Sequence, residues 1–366
     1  MSPEPSDAII SNPSCEMMVT TRCNMQCTYC IAMDLPKYDM TKEIGISAID
    51  YFIYLSEGAE VLDFIFTGGE PLLNYPKLKE LIEYSVAKTN KKGMGAKISI
   101  KTNGTLIKKE YVEVFKRYKS TLFISIDGRE ADHNKYRVLQ TEKSYKQVVE
   151  NMKLLCDNEI NCIASMTVHP DSAKYLLDGF KKIISYGFSK INIAPVYGTI
   201  KWSNSDIDDF INSMIDVARL IKKEKIENHN IDVGPIYKDT EHIDCKLKGI
   251  WGCNAGSSNI AILPNGDISG CSSLAMISNK RPELLIGNVV SGIKQIEVDK
   301  LIELAKADCS CRVKCESCSI KDNCYGGCLA INYSTTDSAF DSPPIYCKTI
   351  AGIQKAWDIA WGEVNV

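Results

Sequence analysis

Residues 15–30 read CEMMVTTRCNMQCTYC. The apolar run over 15–21 predicts a strand, and three cysteines, Cys23, Cys27 and Cys30, follow it at once. Outward from there the chain alternates. Further strands are predicted near 61–66, 97–102, 121–126, 161–168 and 190–195. Helical periodicity falls between them, over 42–56, 76–90, 108–118, 143–157, 172–186 and 206–224. A Ser205-x-x-Asp208 capping signal opens the last helix. Six strand–helix pairs in succession predict an α/β fold with a parallel sheet and right-handed crossovers. Six are too few for a closed eight-stranded barrel, so an open sheet or a partial barrel fits. The chemistry of such folds lies at the C-terminal ends of the strands. There stand Cys23–Cys30, Thr67-Gly68-Gly69-Glu70-Pro71, Thr102-Asn103-Gly104 and Asp127-Gly128. Turn residues are ordinary at strand ends; four such segments on one rim beside a cysteine cluster mark a site.

The chain has 366 residues, enough for two domains. Its 43 Lys+Arg against 46 Asp+Glu leave a net charge of −3, which argues against a dedicated nucleic-acid binder. The opening MSPEPSDAIISNPSC is no secretory signal, and no run of apolar residues is long enough to span a membrane. A cytoplasmic location is expected, where clustered cysteines mean metal or catalysis rather than disulfides. Of sixteen cysteines, three form the N-terminal set and ten lie from Cys245 to Cys347. Cys15, Cys156 and Cys162 stand alone and read as small buried hydrophobes.

A structural zinc site wants four ligands, and no fourth Cys or His lies near Cys23-x3-Cys27-x2-Cys30. A [4Fe–4S] cube held by three cysteines keeps one iron open. The motif resembles the signature of the radical S-adenosylmethionine (radical SAM) enzymes. That resemblance implies a six-stranded partial (β/α) barrel, with SAM on the open iron and cleaved to a 5′-deoxyadenosyl radical. Gly68-Gly69-Glu70 resembles the family's GGE segment, which receives the SAM amino group. Tyr29 resembles the aromatic residue whose backbone meets the adenine. Ser125 and Arg137 look like the pair holding the SAM ribose and carboxylate, a role suited to the two-pronged guanidinium. Lys101-Thr102-Asn103-Gly104 occupies the place of the family's Thr-Asn-Gly turn.

Cys253, Gly266, Cys271, then Cys315-x2-Cys318-x5-Cys324-x3-Cys328 and Cys347 look like the seven-cysteine SPASM extension. By that resemblance the extension holds two auxiliary [4Fe–4S] clusters, for three in all. The first would take Cys253, Cys271 and Cys328, with Cys245 as fourth candidate; the second would take Cys315, Cys318, Cys324 and Cys347. Cys309 and Cys311 stay unassigned. The expected layout is an N-terminal extension over 1–14, a partial (β/α)6 TIM-type barrel over 15–225, and a small cysteine-rich Fe–S domain over 226–366.

SPASM proteins mostly modify residues within peptides or proteins, drawing electrons from an external reductant such as ferredoxin or flavodoxin. With few residues before the first strand, the winged-helix leader-binding domain of many peptide maturases is not expected here. That layout is similar to the anaerobic sulfatase-maturing enzymes. Those carry a catalytic Asp after the cysteine matched by Cys271, where this chain has Ser272, and a hydroxyl alone is no base at neutral pH. The favoured reading is therefore a peptide-crosslinking oxidase (thioether, C–C or C–O), with formylglycine formation as the alternative. A non-catalytic Fe–S electron carrier leaves the three-cysteine motif unexplained. No general base is assigned: Asp34 and Asp127 lie near the rim, and His133, His169, His229 and His242 are scattered. Tyr197, Trp202 and Tyr237 are candidates for a substrate mouth or for core packing.

Overall fold

The computed structural model describes residues 13–139, 143–198, 200–226, 231–236, 253–307, 309–319, 321, 324 and 326–361. Its first nine strands are β1 (Ser14–Thr20), β2 (Met25–Cys27), β3 (Val61–Gly68), β4 (Gly95–Thr102), β5 (Thr121–Ser125), β6 (Arg137–Leu139), β7 (Asn161–Val168), β8 (Lys190–Pro195) and β9 (Asp232–Gly234). Between them run α1 (Lys42–Leu55), α2 (Tyr75–Lys91), α3 (Lys109–Arg117), α4 (Glu130–Tyr136), α5 (Ser144–Asp157), α6 (Leu176–Ile184) and α7 (Asn204–Ile226). The six expected strands are β1, β3, β4, β5, β7 and β8, side by side and parallel in that order.

Alternation along these strands sorts their side chains. Phe64, Phe66, Ile98, Ile100, Leu122, Ile124, Ile191 and Ile193 are buried in the hydrophobic core. A fully buried Phe such as Phe64 contributes about 1.5–3 kcal/mol. The alternate positions include Glu16, Asp63, Lys101, Ser125 and Thr167, so the opposite face is polar. Cys15 is fully buried, as expected, whereas Cys156 and Cys162 are only half-buried, packed against the core rather than within it.

Two helix starts differ from expectation. The segment over 172–186 begins as a 3-10 turn, Pro170–Tyr175, because Pro170 and the Ser172 hydroxyl, bonded to the His169 N–H at 3.0 Å, fix that entry. The cap of α7 is Ser203 with Asp206, not Ser205 with Asp208: the Ser203 N–H donates to Asp206 Oδ2 (2.9 Å), and the Asp206 N–H donates to Ser203 Oγ (3.2 Å).

The C-terminal part continues the same sheet. β10 (Asn259–Ile262) lies parallel to β1 with Ser14 opposite Asn259, and β11 (Asp267–Ser269), β12 (Leu285–Asn288) and β13 (Gly292–Ile293) follow antiparallel. Its helices are α8 (Ser272–Ile277), α9 (Gln295–Lys306), α10 (Val313–Glu316), α11 (Leu329–Thr336) and α12 (Pro344–Trp361). α12 packs on α7 where Gly352 lets Ile211 approach; a Cβ there would meet Ile211 Cγ1 at 2.7 Å. Among the described residues no helix is long and apolar enough to cross a membrane.

Candidate active site

The cysteine loop is held from three sides. Its start is clamped by the glycine pair after β3: the Gly69 N–H donates to Thr20 O and the Glu70 N–H to Arg22 O, both at 2.8 Å. Only glycine permits this approach. A Cβ on Gly68, at φ +151°, would fall 2.1 Å from Thr20 O, and one on Gly69 would fall 2.2 Å from Arg22 O. The middle of the loop is itself a strand, β2, which pairs antiparallel with β6 and sets Cys27 opposite Arg137. Asn24 completes the hold, accepting from Asn103 Nδ2 and donating to Thr105 Oγ1, each at 2.9 Å.

Glu70 works behind the site. Its carboxylate is fully buried and accepts from Leu72 N–H (3.0 Å), Thr102 Oγ1 (2.8 Å) and Asn103 N–H (2.7 Å), tying the Thr102-Asn103-Gly104 turn to the glycine pair. Burial pushes its carboxyl up to about 7 against those three donors. A folded value above the ordinary one near 4.5 makes its stability contribution greatest in acid and loses it as pH rises through about 7. The Tm difference between wild type and Glu70→Gln is expected to move against the wild type from pH 5 to pH 8 by an amount no pH-independent packing effect produces. Scanning fluorimetry at several pH values checks this, and a flat difference contradicts it.

Arg137 and Asp127 form a buried pair, with side chains 7% and 1% exposed. Arg137 Nε meets Asp127 Oδ2 at 2.8 Å and Nη2 meets Oδ1 at 2.9 Å, so the two-pronged edge is turned to Asp127. Asp127 also accepts from Thr167 N–H at 3.0 Å and from the Tyr29 hydroxyl at 3.4 Å. Thus engaged, it is a structural anion. Asp34 is exposed and ion-paired with Lys280.

These contacts enclose a cavity of about 290 Å³ lined by Cys23, Cys27, Cys30, Tyr29, Gly68, Gly69, Lys101, Ser125 and Arg137. Every expected site residue of the barrel is brought together there except Glu70, which sits behind the wall. A second cavity, about 620 Å³, shares Tyr29, Cys30 and Ile31 with it and reaches Tyr197, Lys280, Arg281, Tyr333 and Asp337. Tyr197 therefore lines a mouth, whereas Trp202 is packing: its Nε1–H donates to Val196 O at 2.9 Å and its ring meets Phe210. His133 is buried, bonded to the Asp127 N–H and Ser144, and burial pushes its value down to about 4. His169 stacks on Tyr136. His229, Tyr237, His242 and Cys245 lie outside the described residues.

The expected second auxiliary set shares one cavity, about 580 Å³, lined by Cys315, Cys318, Cys324 and Cys347, with Cys311 and Arg312 on its wall. Burial raises the Cys253 and Cys271 thiols, and the neighbouring Cys328 adds to both, as Cys253 does to Cys271. The side chain of Cys309 lies outside the described part. Among the described residues no three His, Cys, Asp or Glu side chains close on a single metal ion. Burial pushes the Cys27 and Cys271 thiols up to about 12 and Cys347 to about 11, so ligation must displace their protons. The donor sets, thiols beside Arg137 and Arg312, fit anionic thiolate clusters.

One contact had no local signal in the sequence. Glu16 of β1 accepts from Ser272 Oγ at 2.8 Å and is ion-paired with Lys101, joining the first cavity's wall to the residue after Cys271.

Residues 17–178 match the model of the Radical SAM superfamily, whose members bind a [4Fe–4S] cluster and SAM. Residues 17–178 of this chain therefore carry a radical SAM domain. It is 25% identical over 214 residues to the cysteine-type anaerobic sulfatase-maturating enzyme of Clostridium novyi, covering 54% of this chain and 57% of that one. It is 27% identical over 266 residues to the subtilosin biosynthesis protein AlbA of Bacillus subtilis, covering 69% of this chain and 53% of that one. The chain thus spans little more than half the length of these curated relatives. A structure of native anSMEcpe with bound AdoMet and the Kp18Cys peptide superposes with TM-score 0.77 at 19% identity, covering 94% of this chain and 96% of that one.

Proposed function

We propose that this protein is a radical SAM oxidase that crosslinks side chains within a ribosomal peptide, in the cytoplasm, with ferredoxin or flavodoxin as electron source. The observation that carries the reading is the joined pair of cavities: the three-thiol loop forms the shared wall of a small inner space and a larger mouth. The mouth is walled by the extension, through Ile277, Arg281 and Tyr333, as well as by the barrel, through Tyr197. A peptide segment fits such a mouth, with one side chain directed to the inner space.

Cys23, Cys27 and Cys30 would hold the first cluster, the described Cys253, Cys271 and Cys328 part of the second, and Cys315, Cys318, Cys324 and Cys347 the third. Loaded with cluster and SAM, the site would supply a 5′-deoxyadenosyl radical that takes hydrogen from the substrate. The chain's own residues position and exclude. Gly68 and Gly69 offer SAM an unobstructed backbone, and Ser125 and the remaining edge of Arg137 face the same space. Tyr29 separates that space from the mouth.

Formylglycine formation remains the second reading, supported by Glu16: it sets a carboxylate against Ser272 where a serine alone offers no base. One experiment separates the two. A peptide encoded beside this chain is co-expressed with it anaerobically, and tandem mass spectra are compared with those from a Cys23→Ala variant. Loss of two hydrogens with fragment ions missing between two residues is expected for wild type only. A hydrazide-reactive carbonyl would overturn crosslinking in favour of formylglycine chemistry.

A further inference from the structure

Arg312, which precedes α10, is only 3% exposed. Its guanidinium has two long backbone contacts, Nη1 to Ala339 O at 3.3 Å and Nε to Ala307 O at 3.4 Å, and lies 5.3 Å from the Phe340 ring centre. Among the described residues no carboxylate pairs with it. A buried cation that meets no carboxylate among the described residues is costly, and an anionic cluster beside it would offset that cost. Thiols are prominent among the groups around it, beside the exposed Lys314 and Lys348, and Lys321 and Asp341. Arg312 shares the wall of the 580 Å³ cavity with Cys315, Cys318, Cys324 and Cys347. On its other side, Ala307 belongs to the chain turn whose Ala305 carbonyl accepts from the Cys253 N–H at 3.2 Å. Burial disfavours the charge on this guanidinium, and Cys315, Cys324 and Cys311 beside the second set and Cys253 of the first oppose that by favouring it.

We infer that Arg312 is the shared counter-charge of both auxiliary clusters and holds their reduction potentials up together. The inference rests on the proposed assignment of these cysteines to two clusters. A centre ligated by four thiolates is anionic and becomes more so on reduction, so a fixed buried cation stabilises the reduced form. Lys314 lines the same cavity, but it is exposed and paired with Asp341, so water and that carboxylate screen it. Arg312 acts through the clusters, without touching substrate.

The test is a redox titration followed by electron paramagnetic resonance on the anaerobically reconstituted full chain. Cys23, Cys27 and Cys30 are replaced by Ala so that only the auxiliary clusters report. Arg312→Gln and Arg312→Met are each expected to lower the reduction equilibrium constants of both clusters roughly tenfold, about 59 mV for one electron. Arg312→Lys, which keeps the charge, is expected to retain most of the wild-type value. Unmoved potentials in an iron-replete neutral variant overturn the inference, as does an equal shift in Arg312→Lys. Loss of iron from both neutral variants but not from Arg312→Lys also overturns it, making Arg312 an assembly residue. Iron and sulfide content of the parent protein, measured first, separates the two claims: absence of the auxiliary clusters overturns their assignment, whereas both clusters with fixed potentials overturn only the role of Arg312.

Discussion

Gly69→Ala is expected to lower SAM cleavage by about a hundredfold or more while the chain keeps its secondary structure. The new methyl would sit 2.2 Å from Arg22 O, 2.6 Å from Arg22 C and 2.9 Å from Thr21 O. All three are backbone atoms of the segment entering Cys23, and backbone cannot rotate out of the way as a side chain can. Relief therefore requires the cysteine loop to move, stretching the two 2.8 Å bonds that clamp it. Overpacking of this kind costs about 1–3 kcal/mol, which leaves a domain stable by about 5–15 kcal/mol still folded. The damage falls on geometry, because the same residues set where Cys23 stands. Gly58→Ala is the control: Gly58, unlike Gly69, has a positive φ, +92°, but its Cβ would meet nothing within 4 Å. It is expected to cost about 1 kcal/mol of backbone strain and leave 5′-deoxyadenosine formation unchanged. Chromatographic assay of 5′-deoxyadenosine beside circular dichroism and iron content checks both, and an active Gly69→Ala enzyme would show that the clamp does not position the loop.

The strands that build the barrel were legible because each has a hydrophobic face buried beneath helices. Phe64 and Phe66, or Ile98 and Ile100, leave a period of two that survives in a single sequence. The rim was legible for the same reason, since turn residues must follow strands. What stayed hidden depends on distance along the chain. The β2–β6 pair joins residues about 110 apart, far beyond any local window. Two or three residues per strand carry too little pattern to announce themselves. α4 is seven residues, mostly polar, and has no apolar stripe to read. The union of the extension with the barrel through β10 and β1 likewise leaves no trace in either segment alone. Glu16 shows what this costs functionally. It stands in an apolar run where its neighbours, Cys15 and Met17, are core, and period-two alternation puts it on the interior face. That alternation could have marked it as an interior carboxylate, but only the fold reveals that Ser272 is what it meets.

Asp127→Asn is expected to destabilise the protein by about 3–5 kcal/mol, the scale for stripping the partner from a buried charge. The substitution is nearly isosteric, so packing changes little. Its effect is electrical and directional. Asp127 receives hydrogen bonds from Arg137 Nε and Nη2, from the Thr167 N–H and from the Tyr29 hydroxyl, four donors converging on an acceptor-only group. An amide replaces one acceptor oxygen with NH2, which must face a donor, and leaves the 7%-exposed guanidinium with no opposing charge. Arg137 is also the residue paired with Cys27 in the β2–β6 ladder, so a strained guanidinium pulls on the cysteine loop. Removing both charges is expected to cost less than removing one. Asp127→Asn with Arg137→Gln should recover a large part of the Tm lost in Asp127→Asn alone, measured at one scan rate on iron-replete protein. The double variant stays poor in SAM cleavage even so, because Arg137 borders the inner cavity. Stability thus recovers where activity does not. If the Tm losses of the two single variants instead add in the double variant, the pair is not a coupled unit, and the rim owes its rigidity to the glycine clamp and the Glu70 bonds.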